Sequence, residues 1–327
     1  MSRGLSLTMG FLFILLLIFI GALGNKLGDE KERADNNSTK NVQQTVSGEL
    51  ASEATFNPPS LENVPDGPQG EAILRGHELV DDTSNQLRGD TASAEDGQQR
   101  VNELSCSSCH AGAGLDQNSS PLVGVAAKYP NYISRNGEIV TIEERINGCM
   151  VRSMNGKAFA EDDEDLDAMV AYFKYISEGI PVGAELPWLG KNDMKEVPIP
   201  DVAAGETMFQ QSCIACHAQD GAGTGANTGP ALWGEGSFND GAGIARFSRM
   251  AGYIQNNMPK GQEKSLTDQE ASNLAAFVLS QDRPEWGDHA GDWPSGGAPK
   301  DSMTKELRQQ VKDGTINWEE VLGHNTK

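Results

Sequence analysis

The sequence predicts a mainly α-helical protein built from two small helical units in tandem. Three observations carry that expectation. Cys106-Ser-Ser-Cys109-His110 recurs as Cys213-Ile-Ala-Cys216-His217. Each copy leads into a glycine-rich loop, with Gly112 and Gly114 in one and Gly221, Gly223, Gly225 and Gly229 in the other. Each loop then gives way to a capping box that marks a helix start, Thr141 with Glu144 and Thr267 with Glu270.

C-x-x-C-H is the attachment sequence of c-type haem: two thiols add to the porphyrin vinyl groups and the adjacent histidine ligates iron. One copy could be half of a zinc site. Two copies in the same order imply two cytochrome c-like helical domains, each wrapped around one covalently bound haem. The expected attachment residues are Cys106, Cys109, Cys213 and Cys216, with His110 and His217 as iron ligands.

In chain order, residues 1–24 read as a signal peptide or membrane anchor. Arg3 precedes an apolar stretch from Leu5 to Ala22, and Ala22-Leu23-Gly24 has the small residues of a cleavage site. The stretch is long for a cleaved signal and just long enough to span a bilayer, which tips the balance towards a retained anchor. Either way the body is expected to be extracytoplasmic. Residues 25–68 are polar and acidic without periodicity, and read as a disordered tether. The first domain is expected over 69–185. A short helix from Asp96 to Leu104 should lead into Cys106, and Leu166, Met169, Val170, Phe173 and Ile176 mark the apolar face of its last helix. The acidic run Glu161 to Asp167 opens that helix, where it complements the helix dipole rather than binding calcium. Residues 186–200 are a linker, within a stretch from Pro181 to Pro200 that carries four prolines and should pack along the surface. The second domain is expected over 201–284, with Ala203 to Ser212 as the helix entering Cys213 and Leu274, Phe277 and Val278 on a later helix. Residues 285–327 form a tail with few helical signals, expected to lie over the domains.

The formal net charge of -21 argues against nucleic acid and against anionic membrane surfaces as partners. It suits solubility in a salty medium and would steer a basic redox partner. Any membrane contact is expected through the N-terminal segment alone.

The second axial ligands set the chemistry. For the second haem, Met258 in Asn256-Asn257-Met258-Pro259 is the expected ligand, ahead of Met250 and Met208, which fit helix faces. For the first, the candidates are Cys149, Met150, Met154, Met169 and His77. Cys149 is the fifth cysteine, left over by the two motifs. It could be a small buried hydrophobe, but an unpaired thiol in an oxidising compartment calls for a reason. If Thr141 to Ser153 is helical, Arg145, Cys149 and Ser153 form one stripe, presenting a guanidinium and a hydroxyl beside the sulfur. Thiolate ligation would lower the potential of the first haem. Arg152 is expected to make surface contacts, and His77, His289 and His324 to lie at the surface.

The blocks Leu104-Ser-Cys-Ser-Ser-Cys-His110, Glu143-Glu-Arg-Ile-Asn-Gly-Cys149 and Arg152-Ser-Met-Asn-Gly156 resemble tetrathionate-forming thiosulfate dehydrogenase, a dihaem c-type family with a His/Cys first haem. The resemblance implies a substrate pocket beside that haem lined by two arginines and a serine, which match Arg135, Arg145 and Ser153. It also implies thiosulfate and tetrathionate as substrate and product, and a redox partner that takes the electrons. Some members carry lysine before the second-haem methionine and exchange it for methionine on reduction; Asn257 stands there, so that exchange is not implied here. The chemistry fits the residues. Joining two dianions needs cations to offset their repulsion, and arginine suits oxyanions. The joining releases two electrons, and two haems can accept both. Two other readings compete: a dihaem electron carrier without its own substrate, which has no use for Cys149, and a sulfur-carrier cytochrome subunit of a sulfur-oxidising complex, which needs partner subunits.

Overall fold

The computed structural model describes residues 54–88, 100–190 and 192–323. The expected signal or anchor, most of the tether and His324 lie outside them. Among the described residues no helix is long and apolar enough to cross a membrane.

The first unit contains α1 (Pro68–Asp81), α2 (Thr83–Leu87), a hairpin of β1 (Asn131–Ile133) and β2 (Glu138–Val140), α3 (Ile142–Arg152) and α4 (Glu164–Tyr175). The second contains α5 (Val202–Ser212), α6 (Ile214–His217), α7 (Phe247–Asn257) and α8 (Asp268–Ser280). The described residues are thus mainly helical, and the one hairpin among them is antiparallel and pairs Asn131 with Val140 and Ile133 with Glu138.

Each unit is organised by one helix crossing. α1 buries Ile73, Leu79 and Val80 against α4, which returns Leu166, Met169, Val170 and Phe173. The backbones touch at Gly76, where a Cβ would stand 2.0 Å from the carbonyl oxygen of Ala168. In the second unit α5 crosses α8 in the same way, and a Cβ on Gly205 would stand 2.0 Å from the carbonyl oxygen of Asn273. No side chain fits at either contact. Both capping boxes form as expected, and Asp163 caps α4 with Glu164, Asp165 and Asp167 in its first turn.

Four expectations are corrected. The helix expected from Asp96 to Leu104 is absent over its described part, 100–104. The backbone there bonds to other segments, Asn102 N–H to the Met154 carbonyl at 2.8 Å and Glu103 N–H to that of Gly236 at 3.1 Å; α1, with Pro68 at its first position, is the helix that precedes the motif. The end of the tether, 54–68, is ordered: Phe56 meets Trp188 edge-on at 5.3 Å, and Tyr175 donates to the Ser60 carbonyl at 2.6 Å. The linker does not merely cross the surface, because Trp188 is 2% exposed, donates to the Val123 carbonyl at 2.8 Å and packs with Ala184 and Leu186. The tail is helical in part, with α9 (Lys305–Lys312) and α10 (Trp318–Val321).

The tail is anchored through Asp240, 1% exposed, which accepts from Arg308 at 3.0 Å and from the Trp286 backbone at 2.7 Å and lies 2.9 Å from His289 Nε2. His289 is therefore paired with a buried carboxylate, though its own side chain is 41% exposed. The two units meet at their motifs. Ser108 donates to the Ala226 carbonyl at 2.7 Å, and the Tyr253 hydroxyl donates to the Ser108 carbonyl at 3.3 Å.

Candidate active site

The two histidines are prepared alike. His110 Nδ1 meets the carbonyl of Ser120, and His217 Nδ1 meets that of Pro230 at 2.8 Å. A carbonyl only accepts, so each ring holds its proton on Nδ1 and keeps the Nε2 lone pair free for a metal. Burial lowers the pKa of both rings, which keeps them neutral. Burial pushes the Cys106 thiol up to about 12, and those of Cys109 and Cys213 up to about 11. None of the five cysteines is in a disulfide. Neutral thiols beside a neutral imidazole suit thioether attachment and iron ligation better than a thiolate zinc site. Cys109 and His110 are half-buried, and Arg145 keeps an exposed side chain. The second motif lies beside an aromatic wall of Phe209, Trp233 and Phe277, with ring centroids 5.1 to 5.7 Å apart. These residues fit a covalent haem at each motif.

The open faces differ. In the first unit α3 carries Arg145, Cys149 and Ser153 on one side, with Thr141 as its N-cap and Ser153 as its C-cap in helical conformation. Ile142, Ile146 and Met150 are buried on the other side and fix the rotation of the helix. Cys149 is the largest influence on Arg145 and raises its pKa, with Tyr129 acting in the same sense. Cys149 also acts by charge on Cys106 and Cys109, so it faces the first attachment motif. The Ser153 side chain makes no hydrogen bond to a described residue, while its carbonyl accepts from Asn102 at 3.0 Å. The other candidates for the first iron are placed as follows. Met150, Met154 and Met169 lie in the hydrophobic core, and His77 packs against Tyr172 at 5.4 Å.

Arg135 sits at the tip of the β1–β2 hairpin, whose Asn136-Gly137 turn has Gly137 at φ 73°. Its carbonyl accepts from the Trp293 backbone at 2.7 Å, its guanidinium donates to the Gly241 carbonyl at 2.6 Å, and its Cζ lies 5.8 Å from the Trp293 ring centroid. Burial and then the repulsion of Arg246 and Arg152 lower its pKa to about 10. Arg152 is more than a surface residue: it grips Asp292 through two hydrogen bonds, 2.8 and 2.6 Å, and stacks 4.3 Å above Trp286. Tyr129, Arg246 and Trp293 were not singled out from the sequence. They are far apart along the chain, and only the fold brings them to this region.

In the second unit Met258 caps the end of α7 and is partly buried against the core, while Met250 is 4% exposed within it. Asn257 is 1% exposed and donates to the Tyr253 carbonyl at 3.0 Å. A cleft of about 540 Å³ lined by Val202, Trp233, Phe277 and Lys312 lies over α5, α8 and α9 and includes none of the expected site residues.

Residues 95–182 match the family described as SoxA/TsdA, cytochrome c domain, and residues 200–278 match Cytochrome C oxidase, cbb3-type, subunit III. The chain is 40% identical to a thiosulfate dehydrogenase of Allochromatium vinosum, over 72% of this chain and 86% of that one. It is 36% identical to a thiosulfate dehydrogenase of Psychrobacter arcticus, over 82% and 79% respectively. Among solved structures it resembles thiosulfate dehydrogenase (TsdBA) from Marichromatium purpuratum, with a TM-score of 0.65 and 30% identity. That match covers 72% of this chain, which spans about half (51%) of the solved chain.

Proposed function

Because the chain belongs to the thiosulfate dehydrogenases, which join two thiosulfates into tetrathionate through covalently bound haem c, we propose that Cys149, Arg145, Arg135 and Ser153 perform the joining. The observation that carries this is the Arg145 guanidinium beside the Cys149 sulfur on one face of α3. His110 and Cys149 would hold the first haem iron, and His217 and Met258 the second. Cys106, Cys109, Cys213 and Cys216 would bind the two porphyrins. When bound, the two haems supply a sink for one electron each.

Arg145 and Arg135 receive the sulfonate of the first thiosulfate, with the Ser153 hydroxyl as an additional donor. The Cys149 sulfur bonds to the terminal sulfur of this thiosulfate, and two electrons leave. The terminal sulfur of a second thiosulfate then attacks the sulfur joined to Cys149. A new sulfur–sulfur bond forms, the bond to Cys149 breaks, and Cys149 recovers its electron pair as thiolate. The sum is two thiosulfates to one tetrathionate and two electrons.

The Ser108 contacts with Ala226 and Tyr253 bring the two motifs together, which supports electron passage from the first haem to the second. From there the electrons go to a redox partner outside the cytoplasm, with the chain held there through its N-terminal apolar segment. Cys149→Gly tests the assignment. With thiosulfate and ferricyanide it should keep two haems by pyridine haemochrome assay and lose tetrathionate formation by orders of magnitude. Retained rate together with an unchanged low-spin spectrum would make Cys149 a core residue.

A further inference from the structure

The coupling needs two dianions at one site, and the residues assigned so far account for the first. A third cation stands beside them, contributed by the second unit. Arg246 is the residue immediately before α7, and its Cζ lies 5.3 Å from the centroid of the Trp293 ring, the ring that Arg135 also approaches. Its backbone is fixed on both sides: its N–H donates to the Gly243 carbonyl at 3.3 Å, and it bridges to Ser302 of the tail. Its side chain is not spent on the protein. The guanidinium makes no hydrogen bond or ion pair to a described residue, and its Nε is buried without a partner. The Arg135 Nε is buried and unpartnered as well.

A half-buried guanidinium whose Nε is shut off from water without a partner is costly, because burial removes water from a charged group. Here the cost is raised by like charges. Arg135, Arg145 and Arg249 all repel Arg246 or are repelled by it, and only Asp301 and Asp193 act from a distance in the opposite sense. Arg249 is already engaged with Asp193 at 3.1 Å, and Asp301 accepts from Ser248 at 2.6 Å. Arg152, the remaining arginine near this group, is held by both oxygens of Asp292. Arg246 is thus a cation of this cluster with donors to spare and no hydrogen-bonded acceptor among the described residues. An arriving oxyanion supplies what the site lacks.

We propose that Arg246 binds the sulfonate of the second thiosulfate and, with Trp293 as its wall, sets that molecule's terminal sulfur against the sulfur carried by Cys149. The inference rests on the assignment of Cys149 and Arg145 to the first thiosulfate. It concerns only the second step, in which the incoming sulfur forms one sulfur–sulfur bond, the bond to Cys149 breaks, and no electron is transferred. The sequence gives no local hint of this role. Arg246 lies in the second domain, and the fold brings it to a site otherwise built by the first.

The two steps can be separated by mixing the oxidised holoprotein with thiosulfate in a stopped-flow instrument, with tetrathionate and intact mass measured alongside. Arg246→Gln should keep the amplitude of the first haem-reduction phase, because the first thiosulfate still bonds to Cys149. Steady-state kcat/KM should fall at least ~10-fold, and a thiosulfonate adduct on Cys149 should accumulate. Arg246→Lys, which keeps the charge, should recover part of the lost rate. Wild-type kinetics in Arg246→Gln would overturn the proposal, as would loss of the first reduction phase together with turnover, which would place Arg246 in the first step or in folding. If Arg246→Gln fails to fold, the same measurements on Arg246→Lys decide: an accumulating adduct supports the subsite, and its absence overturns it. The parent assignment has its own control, since haem reduction at the wild-type amplitude in Cys149→Gly would refute that assignment independently of Arg246.

Discussion

The two units share a scaffold and part company at one face. Both cross two helices at a glycine, Gly76 against Ala168 and Gly205 against Asn273, and both hold the motif histidine through Nδ1 to a backbone carbonyl. Beyond this, the first unit places Arg145, Cys149 and Tyr129 together, with Arg135 close to them in the fold. The second places a thioether, Met258, beside the neutral and fully buried Asn257. As the proposed ligand of the second haem, this neutral sulfur would favour reduced iron and suit a relay. A cysteine set among guanidiniums can gather anions and form a bond. On the proposed assignment, the shared scaffold holds the haems and the side chains over one open face carry the catalysis.

Making the first unit resemble the second should have the largest effect. Cys149→Met restores a sulfur ligand that cannot be a thiolate. It should keep both haems, raise the first haem's potential in a redox titration, and abolish tetrathionate formation by orders of magnitude. Near-native turnover would show that the cysteine acts as a ligand alone and that no covalent step runs through it.

A second substitution loosens the tail from the second unit. Asp240 is the buried acceptor that secures the tail, through Arg308 and the Trp286 backbone. Removing one partner of a buried ion pair typically costs ~3–5 kcal/mol. Asp240→Ala should lower the thermal midpoint strongly and loosen Asp292 and Trp293, raising KM for thiosulfate. An unchanged midpoint with unchanged KM would mean that the tail contributes nothing to the site.

Much of this arrangement was legible in the sequence because its signals are local. The CxxCH motifs, the two capping boxes and the stripe Arg145, Cys149, Ser153 each depend on residues within a few turns of one another, and α3 and α8 begin where the boxes place them. What was missed is of two kinds. α1 precedes the motif at a distance, whereas in the second unit α5 runs directly into Cys213; Pro68 followed by Ile73, Leu79 and Val80 is nonetheless a usable helix signal. The hairpin carrying Arg135 was announced by Asn136-Gly137, a strong turn dipeptide. The contributions of Arg246, Trp293 and Asp240 had no local signal, since each acts across a large sequence separation.

A third change tests the cation that distinguishes the first unit. Arg145→Gln should lower kcat/KM for thiosulfate at least ~10-fold, about 1.4 kcal/mol of transition-state stabilisation. The wild-type KM should rise with ionic strength, because mobile salt screens the attraction between the arginines and a dianion, and Arg145→Gln should flatten that dependence. An equal salt dependence in both proteins would place the anion elsewhere.

The smallest expected effect compares the two capping boxes. Thr141 begins the helix that carries the proposed catalytic residues, and Thr267 begins a helix that packs in the core; both accept from the backbone N–H three residues on, each at 3.2 Å. Thr141→Ala and Thr267→Ala should each cost ~1 kcal/mol of stability, with similar drops in thermal midpoint. Neither should alter turnover of the folded protein. Cys149 lies two turns inside α3, and burial of Ile146 and Met150 on the opposite face holds the helix in rotation without the cap. A fall in kcat for Thr141→Ala alone, with thermal midpoints still matched, would mean that the cap and not the buried face sets the position of Cys149. In that case the second unit's box is a poor guide to the first, and equal local chemistry at the two helix starts serves different ends.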